Sequence, residues 1–225
     1  MAGAADTTTI EIPYTVRRSD RARNVRVNVD ARDGVEVVLP SRAPDRAAAA
    51  AVRELRPWIE RRLGEAREVL EQLAARAGTL PYLDESLVLV PEPGRTRAHR
   101  RGGRLHVPAA DAGPAIERFY RRAARAEIGP RLDFAVAQAG ASYSGLDVRG
   151  QRTRWASCSS SGRMSFNWRL LLAPERVLDY VIWHEVCHLE ILDHSPRFWA
   201  LLGERWPRWR EDRAWLRANG ATLAL

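Results

Sequence analysis

The stretch Tyr180-Val-Ile-Trp-His184-Glu185-Val-Cys-His188 sets two histidines four residues apart in an apolar run, with a glutamate directly after the first. On an α-helix, residues four apart share a face about one turn, roughly 6 Å, along the axis. His184 and His188 can therefore aim their imidazoles at one ion, which is the geometry of a zinc site. Glu185 projects from a neighbouring face, beside the ion without binding it. A carboxylate there suits a base for a metal-activated water attacking a polarised carbonyl. The competing reading is an amphipathic core helix whose histidines are solvated or hydrogen-bonded.

Downstream runs Asp193-His194-Ser195-Pro196-Arg-Phe198-Trp199. Ser195 and Pro196 read as the N-cap and first turn of a new helix, since a hydroxyl can accept an orphan N–H and proline has none to orphan. His194 then lies at a junction between two helices, where a short connection can return its ring to the same ion. Three of the five histidines fall between positions 184 and 194. Metzincins share the H-E-x-x-H-x5-H spacing, but Ile191 stands where their turn glycine belongs, so that class is not assigned.

The flanks add Arg152-Thr-Arg154-Trp155-Ala156-Ser157-Cys158-Ser, then Asn167-Trp168-Arg169-Leu, then Asp179-Tyr180. With the histidine motif and His194-Ser-x-x-Phe198-Trp199, this set resembles the YgjP-like metallopeptidases, relatives of the SprT-like zincins. Ala156 replaces the family's usual glycine and Asp193 its usual asparagine; neither change removes a proposed ligand or base. The resemblance runs from the Tyr14 stretch to the C-terminus. It implies a zinc-dependent hydrolase with His184, His188 and His194 as ligands and Glu185 as catalytic base. It also points to the strand Ser165-Phe166-Asn167-Trp-Arg169 as the edge that pairs with an extended substrate backbone. The alternative for that strand is a purely structural one.

Composition limits the remaining classes. The 225 residues carry 45% hydrophobic content, enough for one sizeable core or a small domain beside a larger one. All thirty-six basic residues are arginine, and the net charge of +8 favours anionic surfaces or substrates. Two cysteines make no disulfide framework, the N-terminus lacks a secretory signal, and no apolar run is long enough to span a membrane, so a cytoplasmic protein without membrane association is expected.

Along the chain, the alternating runs starting at Ile10, Val25 and Val35, with Asp33-Gly34 as a turn, predict a small antiparallel β-unit. Its arginines Arg17, Arg18, Arg21, Arg23 and Arg26 either meet phosphate or form a solvated face. A helix is expected from Ala47 to Ala75, kinked at Pro57, and strands around Leu80-Tyr82 and Leu87-Val90. His99 and His106 have no partner at metal-binding spacing. Ala112-Gly-Pro114 marks the expected domain boundary and opens a helix to Ala139 that backs the metal-bearing helix. Two strands are expected at Leu146–Trp155 and Arg163–Leu171. Tyr180, one turn before His184, either reaches the site or packs. Arg152 and Arg154 contact an anion at the site or brace the sheet. Cys158 packs, or its thiolate acts as a ligand or reversible block. Two further helices, parted at Pro207, should cover the catalytic one.

The expected fold is therefore α+β: a zincin-like catalytic domain at 112–225, with a small mixed sheet and the HExxH helix, after a β-rich domain at 1–111 containing one long helix. The leading function is hydrolysis of peptide or protein substrates with Zn2+ as cofactor. A metal-dependent nucleotide or phosphoanhydride hydrolase, and a nucleic-acid-associated adaptor with a structural metal, are the alternatives raised by the arginine excess.

Overall fold

The computed structural model describes residues 11–30, 34–151 and 153–225. The expectations placed on Ile10, Asp33 and Arg152 lie outside these residues. Among the described residues there are six α-helices and three small sheets, a mixed α/β architecture. None of those helices is long and apolar enough to cross a membrane.

The chain divides into two compact units, residues 1–75 and 76–225. In the first, strands β1 (Tyr14–Ser19), β2 (Arg26–Asp30) and β3 (Gly34–Pro40) form a sheet in the order β1-β3-β2. Only β2 runs antiparallel to β3; β1 is parallel to it, which corrects the all-antiparallel expectation. Val35, Val37 and Leu39, at strand period two, bury one face against Ala48, Val52 and Ile59. The single kinked helix is two, α1 (Arg46–Glu54) and α2 (Arg56–Ala75). Pro57 falls in the first turn of α2, where its missing N–H orphans nothing. Arg17 pairs with Glu36 at 2.8 Å and Arg18 with Asp45 at 2.5 Å on exposed surface, the solvated-face reading.

In the second unit, β4 (Thr79–Tyr82), β5 (Glu85–Glu92), β6 (His99–Arg101) and β7 (Arg104–Pro108) form a sheet in the order β4-β5-β7-β6. Helix α3 (Ala112–Gln138) packs on it. Leu80, Tyr82, Leu87, Leu105 and Val107 share one core with Ile116, Phe119, Tyr120 and Ile128. Tyr120 also donates its hydroxyl to the Pro81 carbonyl. For that reason the units divide at 75/76 and not at the expected 111/112: the apolar face of β4–β7 has its partner in α3. Pro130 lies inside α3 without ending it. The preceding Gly129 lacks the Cβ that would clash with the proline ring.

The third sheet is mixed: β8 (Gly145–Arg149), β9 (Ala156–Cys158) and β10 (Arg163–Asn167) in the order β8-β10-β9, with β10 parallel to β8 and antiparallel to β9. Two strands were expected here and there are three. The second expected strand stops at Asn167, whose side chain caps a 3₁₀ turn (Trp168–Leu172) by accepting the Arg169 N–H at 3.1 Å. Helices α4 (Glu175–Cys187), α5 (Pro196–Arg205) and α6 (Trp209–Asn219) complete the unit.

Helix α4 is braced from two sides. Arg131 of α3 reaches Glu175 and, at 3.3 Å, Asp179 on α4. On the other side Asp212 of α6, fully buried, pairs with Arg176 of α4 and accepts the Trp206 indole N–H at 2.8 Å. Val177, Leu178, Val181, Ile182 and Val186 fill the core between. A helix held this way presents its last turn in one orientation.

Candidate metal centre

His184 lies in the last turn of α4 and His188 is its C-cap residue, so the four-residue spacing does put both rings on one side. Their centroids are 4.9 Å apart. The backbone then turns within five residues, and His194 comes back with its Nε2 3.0 Å from that of His184. One donor nitrogen from each of the three rings lies within 4.8 Å of the others. Ser195 occupies the N-cap position of α5 with Pro196 following, but its hydroxyl makes no cap. The Asp193 carboxylate instead accepts the Ser195 N–H at 2.9 Å and fixes the turn that carries His194.

Aromatic rings hold the imidazoles in place. Phe198 stacks on His188 at 4.5 Å and Trp199 on His194 at 5.5 Å. Trp199 in turn stacks on Trp209 at 4.6 Å. Tyr180 meets His184 edge-on at 6.0 Å, and burial raises its hydroxyl pKa to about 12, so it packs as a neutral phenol.

The electrostatics favour the neutral form of His184 and His194. Burial, then the proximity of His188 and His194, push His184 down to about 3; His194 is lowered by the same kind of causes. Two ring nitrogens 3.0 Å apart cannot both present lone pairs unless a proton or a cation lies between them. Three imidazole nitrogens converging on one point are a donor set that fits a metal ion of the zinc type.

Glu185 is buried beside this cluster. Its carboxyl accepts the backbone N–H of Cys158 on β9, which opposes but does not cancel the effect of burial, and its pKa is pushed up to about 8. Oε2 of the same carboxyl is buried without a partner among the described residues. Cys158 sits half-buried on that strand, its thiol raised to about 11 by burial first and by Glu185 second, which favours the protonated form, and its sulfur does not belong to the three-histidine group.

The substrate strand expected from Ser165, Phe166, Asn167 and Arg169 needs correction. β10 is the central strand, paired on both sides, so it offers no free edge. Ser165, Phe166 and Asn167 are buried, and the guanidinium of Arg169 lies over the Trp168 ring at 4.5 Å. The strand edge beside Glu185 is β9. Arg154 is exposed, and its carbonyl accepts from the Asn167 side chain at 3.2 Å. His99 and His106 stand apart from the centre; His106 is paired with Glu92 at 2.5 Å.

Sequence reading missed three contributors: the Ile191 carbonyl, which accepts from His188 Nδ1 at 2.9 Å, the Cys158 N–H, and Arg213 on α6, whose charge acts on both His184 and His194. Two of the three are backbone groups and carry no side-chain signal. The third comes from a helix remote in sequence.

What the fold and these residues define is a three-histidine centre built from the end of α4 and the turn that follows it, able to hold one metal ion, with a buried carboxyl alongside. The model of the YgjP-like metallopeptidase domain matches residues 23–219. The chain belongs to the YgjP-like family and carries its metallopeptidase domain, for which a metal cofactor is implied. Among solved structures, the metallopeptidase zymogen of Pyrococcus abyssi abylysin is similar, at 23% identity and a TM-score of 0.36, over 40% of this chain and 93% of that one. A search of curated proteins finds no match.

Proposed function

We propose that this chain is a zinc-dependent peptidase in which His184, His188 and His194 hold the ion and Glu185 is the general base. The observation that carries the reading is the pairing of three converging imidazoles with a buried carboxyl whose Oε2 has no partner among the described residues. A bound zinc ion supplies Lewis acidity, polarising a peptide carbonyl and acidifying water. A bound cation would favour the ionised form of Glu185 over the protonated form that burial alone favours; the carboxylate would then take the proton from the attacking water at Oε2 and pass it to the departing amine, with its burial and the Cys158 N–H holding it in one orientation.

The substrate backbone pairs with β9. Ser159 and Arg163, and Trp155 and Asn167, are hydrogen-bonded across the ladder to β10. By alternation the outward groups of β9 are those of Ala156 and Cys158. The Cys158 N–H goes to Glu185, so a peptide laid on this edge meets the base one strand position away.

The test combines metal analysis of the purified chain with cleavage assays on an unstructured protein and on nucleoside triphosphates, using wild type and Glu185→Gln. Stoichiometric zinc with Glu185-dependent peptide cleavage is expected. Glu185-dependent triphosphate hydrolysis without peptide cleavage would overturn the peptidase reading and leave the metal site standing.

A further inference from the structure

Arg210, Arg213 and Arg217 recur at steps of three and four along α6 and so share one face. All three are exposed and, with Trp209 and Ala214, line a cleft of about 280 Å³. The Arg213 guanidinium lies over the Trp199 ring at 4.7 Å, and that ring stacks on His194. Arg210 lies over Trp209 at 4.5 Å, and Trp209 stacks on Trp199. The two guanidinium groups thus ride on a continuous pile of indoles that ends at the metal centre.

Neither acid within α6's first turn neutralises them. Glu211 is taken by Arg208 and Asp212 by Arg176. Among the described residues none of the three arginines is paired with a carboxylate. A fixed cation separated from the His194 ring by a single indole is unfavourable beside a metal-binding centre unless a negative charge offsets it. Held there by an indole, it has its electrostatic complement in an anion that arrives with the substrate.

We infer that Arg213, flanked by Arg210 and Arg217, binds a carboxylate of the substrate close to the cleaved bond and selects acidic over basic peptides. This rests on the peptidase reading above. Arg213 stands one indole ring away from His194, and successive Cα atoms are about 3.8 Å apart, so the carboxylate belongs within a few residues of the bond. It is an Asp or Glu side chain or the chain-terminal carboxylate; either presents the planar, two-oxygen acceptor that a guanidinium fork matches.

The experiment measures binding without turnover. Fluorescently labelled alanine-based peptides carrying Glu, Gln or Lys at matched positions, each with a free or an amidated C-terminus, are titrated against the full-length Glu185→Gln protein. The Glu peptides, or the free-carboxylate peptides, should bind about tenfold tighter than their neutral twins, and which arm shows the gain identifies the source of the carboxylate. Arg213→Gln should abolish the preference. Arg213→Glu should reverse it toward Lys, a gain that a misfolded variant cannot give. Equal binding of the acidic, neutral and basic peptides, no binding of any, or a preference unchanged in both variants would overturn the inference. The same peptides are offered to wild type in parallel. Selective binding without cleavage would sink the peptidase reading alone and leave the anion site.

Discussion

His188 donates its Nδ1 proton to the carbonyl oxygen of Ile191 at 2.9 Å, three residues downstream in the turn that leads to His194. A carbonyl only accepts, so the bond places the proton on Nδ1 and leaves Nε2 with its lone pair toward the other two rings. The orienting partner of one candidate ligand is thus the backbone of the loop that delivers another. In the proposed centre, metal affinity would be coupled to the conformation of residues 189–194.

Replacing His184, His188 or His194 by alanine should each abolish stoichiometric metal binding, whereas His99→Ala and His106→Ala should retain it. Elemental analysis of the purified proteins decides this. Full metal content in His184→Ala would refute the ligand set.

Glu185→Gln keeps the side chain's shape but cannot take a proton from water. Peptide hydrolysis should fall by roughly two to four orders of magnitude with metal content unchanged. Steady-state rates and metal analysis on the same preparation separate the two quantities.

If substrate pairs with β9, deleting the outward amide at position 156 removes a ladder bond without touching the β10 side. Ala156→Pro is compatible with an edge strand. It should lower kcat/KM about tenfold while leaving metal content unchanged. An unaltered kcat/KM would show that the peptide lies elsewhere.

Asp212 is fully buried between α4 and α6, where it meets Arg176 and the Trp206 indole. Asp212→Ala leaves that part-buried indole N–H without its acceptor and loosens the support of the histidine helix. A loss of about 2 kcal/mol is expected in denaturant unfolding, discounted because Arg176 can turn to solvent.

Burial, only partly offset by Arg131 and reinforced by Glu175, raises Asp179 from 3.8 to about 6. The fold therefore favours the protonated carboxyl. Its contribution is fully present below pH 3.8 and is lost as the pH rises through about 6. Asp179→Asn should accordingly be more stable than wild type at pH 7, by on the order of 1 kcal/mol after solvent screening, with the advantage shrinking toward pH 4. Thermal melts at several pH values check the sign.

The convergence of the three candidate ligands was legible because helical periodicity converts a spacing of four into a shared face, and because Ser195-Pro196 marks where a new helix begins. The same local rules located α3, α5, α6 and most of the strands. They failed where a choice depended on partners: whether β1 lies parallel or antiparallel to β3, and whether residues 79–108 share a core with what precedes or follows them. The mistaken substrate strand is the clearest instance. Arg163–Asn167 has the residues of a strand, but which strand is the edge depends on Ala156–Cys158 pairing beyond it, and sequence pattern carries no record of ladder order.

The sequence by itself determined the chemistry on offer: two imidazoles and a carboxylate on one helix, a third imidazole at the next helix start, and a chain whose only cationic residues besides histidine are arginines. Only the tertiary structure decided how these groups are tuned. Packing buries Glu185 and depresses His184, the Ile191 carbonyl sets the tautomer of His188, and α6 brings Arg213 back to the centre from nineteen positions beyond His194. The physical reason is that donor type is a property of each side chain, whereas desolvation and charge proximity belong to the space around it, which only chain folding creates.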